Sequence, residues 1–72
     1  MRLDELEWKP SARPGVQYVY FRVGGVEWHI LRWKDGTYSL GPMGKPWTYD
    51  KLDPFGAQAV LYHLTASKNA DT

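Results

Sequence analysis

Two turn signals, Gly24-Gly25 and Asp35-Gly36, cut the apolar stretch YVYFRVGGVEWHILRWKDGTY, Tyr18 to Tyr38, into strand-length pieces. Each piece is rich in Val, Ile, Tyr and Trp, residues that suit a pleated, half-buried surface. The region from Val16 to Gly41 therefore reads as three antiparallel strands in a meander. Gly24-Gly25 fits a two-residue hairpin loop, whose positive φ angles glycine adopts readily. That loop sets the first register. Val23 faces Val26, Phe21 faces Trp28 and Val19 faces Ile30 on one side, face A. Arg22 meets Glu27, Tyr20 meets His29, Tyr18 meets Leu31 and Val16 meets Trp33 on the other side, face B. The opposite charges of Arg22 and Glu27 support this pairing, at ~0.2–1 kcal/mol for such a cross-strand contact.

The second turn decides which face holds the core. As a two-residue loop, Asp35-Gly36 puts Tyr38 and Leu40 on face B. WKDGT also fits a three-residue loop, Lys34-Asp35-Gly36, with Gly36 left-handed and bulged. Then Trp33 faces Thr37, Arg32 faces Tyr38 and Ile30 faces Leu40. A slip of one residue exchanges the faces of the whole strand. The three-residue loop gathers Val19, Phe21, Val23, Val26, Trp28, Ile30, Tyr38 and Leu40 on face A, a continuous apolar floor. We take that register.

Asp53-Pro54 supplies a helix start. Asp53 suits the N-cap and Pro54 the first helical position. The helix is expected over 54–67, with Ala57, Val60, Leu61 and Leu64 as its main apolar stripe and Phe55, Ala59 and Tyr62 widening it. The expected fold class is α+β, a three-stranded antiparallel meander packed on one C-terminal helix, with a short N-terminal arm or helical turn. The 72 residues form one domain. It divides into an arm and linker (1–15), the sheet (16–41), a long Gly- and Pro-rich loop (42–53), the helix (54–67) and a frayed tail (68–72). A chain this short buries only ~60–65% of the surface its unfolded form exposes.

The chain has no cysteine, so disulfides and thiolate metal sites are excluded. That suits a reducing compartment, and a cytoplasmic protein is the expectation. The segment MRLDELEWKP lacks the apolar run of a signal peptide, and no stretch approaches the ~18 apolar residues of a membrane helix. His29 and His63 are the only histidines, and their positions on a strand and on the helix do not make a zinc motif. GPMGK, residues 41 to 45, lacks the phosphate-loop spacing, and there is no nucleophile elbow. The expectation is a non-enzymatic protein without cofactor or metal.

What remains is a contact surface. Four Trp and five Tyr compete between filling a small core and anchoring a partner. Leu3, Leu6 and Trp8 can fold back over face B as a second small core. Left open, face B presents Tyr18, Tyr20, His29 and Trp33 as ring anchors, with Arg22, Arg32 and Lys34 as cations. In the long loop, Pro46-Trp47 and Tyr49 either tuck against the domain edge or form an aromatic tip. Charge is uneven. Residues 11 to 52 hold Arg13, Arg22, Arg32, Lys34, Lys45 and Lys51 against Glu27, Asp35 and Asp50, while both ends are slightly acidic.

VEWHI (Val26 to Ile30), YSLG (Tyr38 to Gly41) and AQAVLY (Ala57 to Tyr62) follow one another as strand, strand and helix. This layout resembles the plant ethylene-response-factor (apetala-type) DNA-binding domain and the small arm-binding domains of some integrases, by spacing more than by identity. The resemblance implies nucleic-acid recognition through the sheet face away from the helix, where Glu27 and His29 stand beside Arg22. The alternative is a protein-binding regulator or inhibitor, as many small stand-alone proteins are, phage-encoded ones included. It would use Trp33, Trp47 or Tyr49 as anchors. A homodimer through the open sheet face or the sheet edge is a variant of the second reading. No membrane partner is expected.

Overall fold

A computed structural model describes the chain from Arg2 to Ala70, and its side chains as far as Ala66. A 3-10 turn (Leu3–Glu5) leads to β1 (Lys9–Pro10), β2 (Gln17–Val23), β3 (Val26–Arg32), β4 (Tyr38–Pro42), β5 (Tyr49–Leu52) and the helix α1 (Pro54–Ala70). The strands form one antiparallel sheet in the order β1-β2-β3-β4-β5. One C-terminal helix packs on it, so the α+β class stands. The sheet has five strands where the turn signals and patterning predict three.

Both extra strands escape periodicity for a physical reason. β1 is two residues long, and its Pro10 is tolerated because it lies on an edge strand. β5 lies inside the stretch expected to be loop. Tyr38 pairs with Leu52 and Leu40 with Tyr49, so Asp50 and Lys51 together oppose the single residue Ser39. This is a bulge, with Lys51 left-handed at φ 57°. The doubled residue breaks the alternation by which a strand is recognised.

Both expected registers hold. Val23 pairs with Val26, Val19 with Ile30, Arg32 with Tyr38 and Ile30 with Leu40. The second loop closes with the Trp33 N–H donating to the Thr37 carbonyl at 2.8 Å, and Gly36 takes φ 88°. Ile30, Leu40, Ala57 and Leu61 are fully buried between sheet and helix, with Leu3 and Tyr38 beside them.

The N-terminal arm docks on the helix side and does not cover face B. Leu3 is part of the main core, and its N–H donates to Gln58 Oε1 at 2.8 Å. Trp8 Nε1 donates to the Leu3 carbonyl at 2.8 Å, and its ring packs on Tyr38 at 5.9 Å between centroids.

Helix α1 begins as the sequence predicts. The Gly56 N–H donates to Asp53 Oδ1 at 2.7 Å. It runs on to Ala70, past the expected end at 67, and the last two residues of the expected tail lie outside the described residues. Its apolar arc is narrower than expected. Ala57 and Leu61 point at the sheet, whereas Phe55 is 87% and Tyr62 64% exposed. Phe55 stands two residues from Ala57 and Tyr62 one residue from Leu61, rotations of about 200° and about 100° that carry both side chains off the floor, and the sheet reaches only one side of the helix.

Candidate recognition face

Face B is built from alternate residues of the three central strands, so strand pleat alone brings distant side chains together. Tyr18 and Tyr20 on β2 lie with ring centroids 5.1 Å apart, and Tyr20 is 6.5 Å from His29 on β3. Trp47 extends the row, its ring meeting His29 at 4.4 Å in an edge-on arrangement. Trp47 reaches that place because the chain after β4 folds back across Gly41. A Cβ on Gly41 would stand 3.0 Å from the Thr48 nitrogen and 3.2 Å from the Trp47 Cα. The returning loop is held by the Thr48 N–H donating to the Leu40 carbonyl at 3.1 Å. The Met43 N–H donates to the Glu27 carbonyl at 2.9 Å. Met43 Sδ also lies against His29 Nδ1. Burial among these groups pushes the His29 pKa below its ordinary 6.5.

The result is a groove floored by Tyr18, Tyr20, His29 and Leu31, between the Pro10–Ala12 edge on one side and Met43 on the other. Among the described residues, no Lys, Arg, Asp or Glu lines it. Tyr20 is 52% exposed there.

A second hollow lies around Trp33, two residues along the chain from Leu31 of the first, and has a different character. Its rim carries Arg13, Lys34 and Lys51 against one acid, Asp35. Lys51 Nζ sits 4.6 Å from the Trp33 ring centroid and the Arg13 guanidinium 5.9 Å from it. Asp35 is engaged by its own turn. The Thr37 hydroxyl donates to it at 2.6 Å and the Thr37 N–H at 3.0 Å, and these bonds hold its carboxyl below the ordinary carboxylate range. Asp35 is thus held ionised, and the rim carries three cations against this one carboxylate. Beneath Trp33, the β5 bulge aims Asp50 at the buried Ser39 and Lys51 over the indole.

Of the residues expected to form a site, Tyr18, Tyr20, His29 and Trp33 share face B, Trp47 joins them, and Lys34 lines the cationic hollow. Arg22 is on the same face but pairs with Glu27 at 3.4 Å, both exposed. Arg32 lies on the opposite face. Its guanidinium stacks 4.4 Å from the Trp8 centroid and bonds Gln17. Tyr49 turns to the helix side and packs on the core. Arg13, Met43 and Lys51 were not singled out by the sequence. Met43 and Lys51 are brought in by the return of the loop and by the bulge. Neither has a local signature.

Among the described residues no three His, Asp or Glu side chains gather as a metal site, and no helix is long and apolar enough to cross a membrane. No family profile, curated protein or solved structure matches the chain.

Proposed function

We propose that the chain is a small non-enzymatic binding module that recognises a segment of another protein through face B. The observation that carries this reading is the position of the N-terminal arm. Leu3 and Trp8 close the helix side, and the ring-lined groove opposite stays open. A groove without charge beside a cation-rimmed hollow fits a segment that presents an apolar side chain followed by a carboxylate. Leu31 on β3 and Trp33 just after it mark the two hollows, about 7 Å apart. Tyr20 is the anchor for the apolar side chain. Arg13, Lys34 and Lys51 take the carboxylate.

Affinity selection from a displayed library of acidic and aromatic peptides, followed by calorimetry, tests this. Tyr20→Ala and Lys51→Glu should each weaken the selected peptide about tenfold or more. Selection that returns no acidic sequence, or peptides indifferent to both substitutions, contradicts the reading.

Nucleic-acid recognition is the second reading, and the strand-strand-helix layout with its open outer face favours it. The rings of Tyr18, Tyr20 and Trp33 would stack bases, with Arg13, Lys34 and Lys51 at phosphates. The uncharged groove and the Arg22–Glu27 pair weigh toward the protein ligand. Oligonucleotide binding at low salt that collapses as salt is raised would support the second reading instead.

A further inference from the structure

The outer face of α1 is unlike a solvated helix surface. From Pro54 to Ser67 the sequence has no Asp, Glu, Lys or Arg. A helix that packs on a sheet with one stripe normally carries charge on the opposite stripe. Here the opposite stripe is Phe55, Ala59, Tyr62 and Ala66. At 100° per residue these four fall within about 60° of arc, nearly opposite the Ala57–Leu61 line that meets the sheet. Phe55 is 87% and Tyr62 64% exposed. Large and small side chains alternate along the stripe.

We propose that this stripe pairs with the same stripe of a second copy, the two helices antiparallel about a two-fold axis passing between residues 60 and 61. In that register Phe55 lies against Ala66 of the other copy and Ala59 against Tyr62. Every ring meets a methyl group, so the helices approach closely along the whole stripe. A parallel pairing sets ring on ring and alanine on alanine, which leaves gaps. A self-pairing face must also avoid like charges, because each residue near the axis meets its own kind. The four residues of this stripe carry none, and the charges nearest Phe55, Arg2 and Asp4, pair with each other. The exposed parts of Phe55 and Tyr62 in two copies amount to about 600 Å². With the flanking helix surface the contact reaches roughly 1,000 Å², the low end for a specific interface, so the dimer is weak.

The sheet lies on the other side of α1, so the two-fold turns both copies of face B outward, on opposite sides of the pair. If face B is a recognition surface, as proposed above, the dimer is bivalent and gains avidity on a repeated ligand. The dimer itself does not depend on that reading.

Sedimentation equilibrium of the chain alone tests the pairing. We expect dimer mass at about 1 mM and monomer at about 10 μM, as befits a small interface. Ala59→Glu and Tyr62→Lys should each abolish the dimer, with an unchanged thermal unfolding curve at low concentration because both positions are exposed. The double variant should recover it, since each new carboxylate then faces the other copy's new ammonium. Monomer throughout, or single variants that dimerise as well as the parent, overturns the proposal. A double variant no better than the singles overturns the antiparallel register.

Discussion

Trp33 Nε1 donates to the hydroxyl of Ser39 at 2.7 Å, and the Ser39 hydroxyl donates to Asp50 Oδ1 at 2.5 Å. The Ser39 oxygen also accepts the Lys51 N–H at 3.4 Å. A serine hydroxyl has one proton and two lone pairs, and all three are used. Ser39 is fully buried, and this complete set of partners is why a polar side chain is tolerated there. The group ties β3, β4 and β5 together beneath the cationic hollow.

Ser39→Ala should therefore destabilise the fold by about 1–3 kcal/mol, because the Trp33 indole and the Asp50 carboxylate both lose a partner. Urea unfolding followed by circular dichroism measures this. A variant as stable as the parent would show that water replaces the hydroxyl without loss.

Gly41→Ala should push the returning loop off face B. The added methyl meets backbone at 3.0 and 3.2 Å, which a side-chain rotation cannot relieve. A loss of about 1–3 kcal/mol is expected, as for overpacking elsewhere. Trp47 should leave the His29 ring, seen as a shift of the His29 ring protons in NMR spectra. An unchanged His29 environment would contradict the close crossing.

His29 gives the fold a pH dependence of known sign. Its folded pKa is lowered by burial from 6.5, so below that value the unfolded chain takes a proton that the folded chain resists. His29 thus contributes stability that is fully present above the unfolded pKa. That stability is lost as pH falls from 6.5 toward the folded pKa. His29→Gln should flatten the stability profile in that window, measured by urea unfolding between about pH 5 and pH 8. Parent and variant losing stability in parallel would refute the assignment.

Two positions on α1 should separate cleanly. Leu61 is fully buried, and Leu61→Ala should cost about 2–5 kcal/mol, enough to unfold much of a chain this small. Phe55 is 87% exposed, and Phe55→Ala should change the stability of the monomer by less than about 0.5 kcal/mol. Unfolding at low micromolar concentration keeps the comparison to the monomer. Equal losses at the two sites would mean that the helix is rotated from its position here.

The sequence made the centre of the sheet legible, because Gly24-Gly25 and Asp35-Gly36 set both loops and one register leaves only one apolar floor. Asp53 likewise marks the helix start by its capping chemistry. The rotation of the helix was not legible, since a helix without charged residues up to Ser67 offers no polar face to choose by. Tyr62 and Phe55 therefore looked like core. β5 stayed hidden because its bulge puts Asp50 and Lys51 on one side, against Ser39. For the site, ring residues on central strands were readable from alternation. The cations that matter were not, because Arg13 and Lys51 arrive through a linker and a bulge, whereas Arg32 turns toward Trp8.

Backbone amide shifts, mapped while an acidic peptide from the selection is titrated, decide whether face B is the recognition surface. Tyr18, Tyr20, His29, Leu31 and Trp33 should move together, with Lys51 beside them, while Ala57 and Leu61 stay still. Shifts confined to the helix or to the Gly24-Gly25 turn, with face B unmoved, would contradict it.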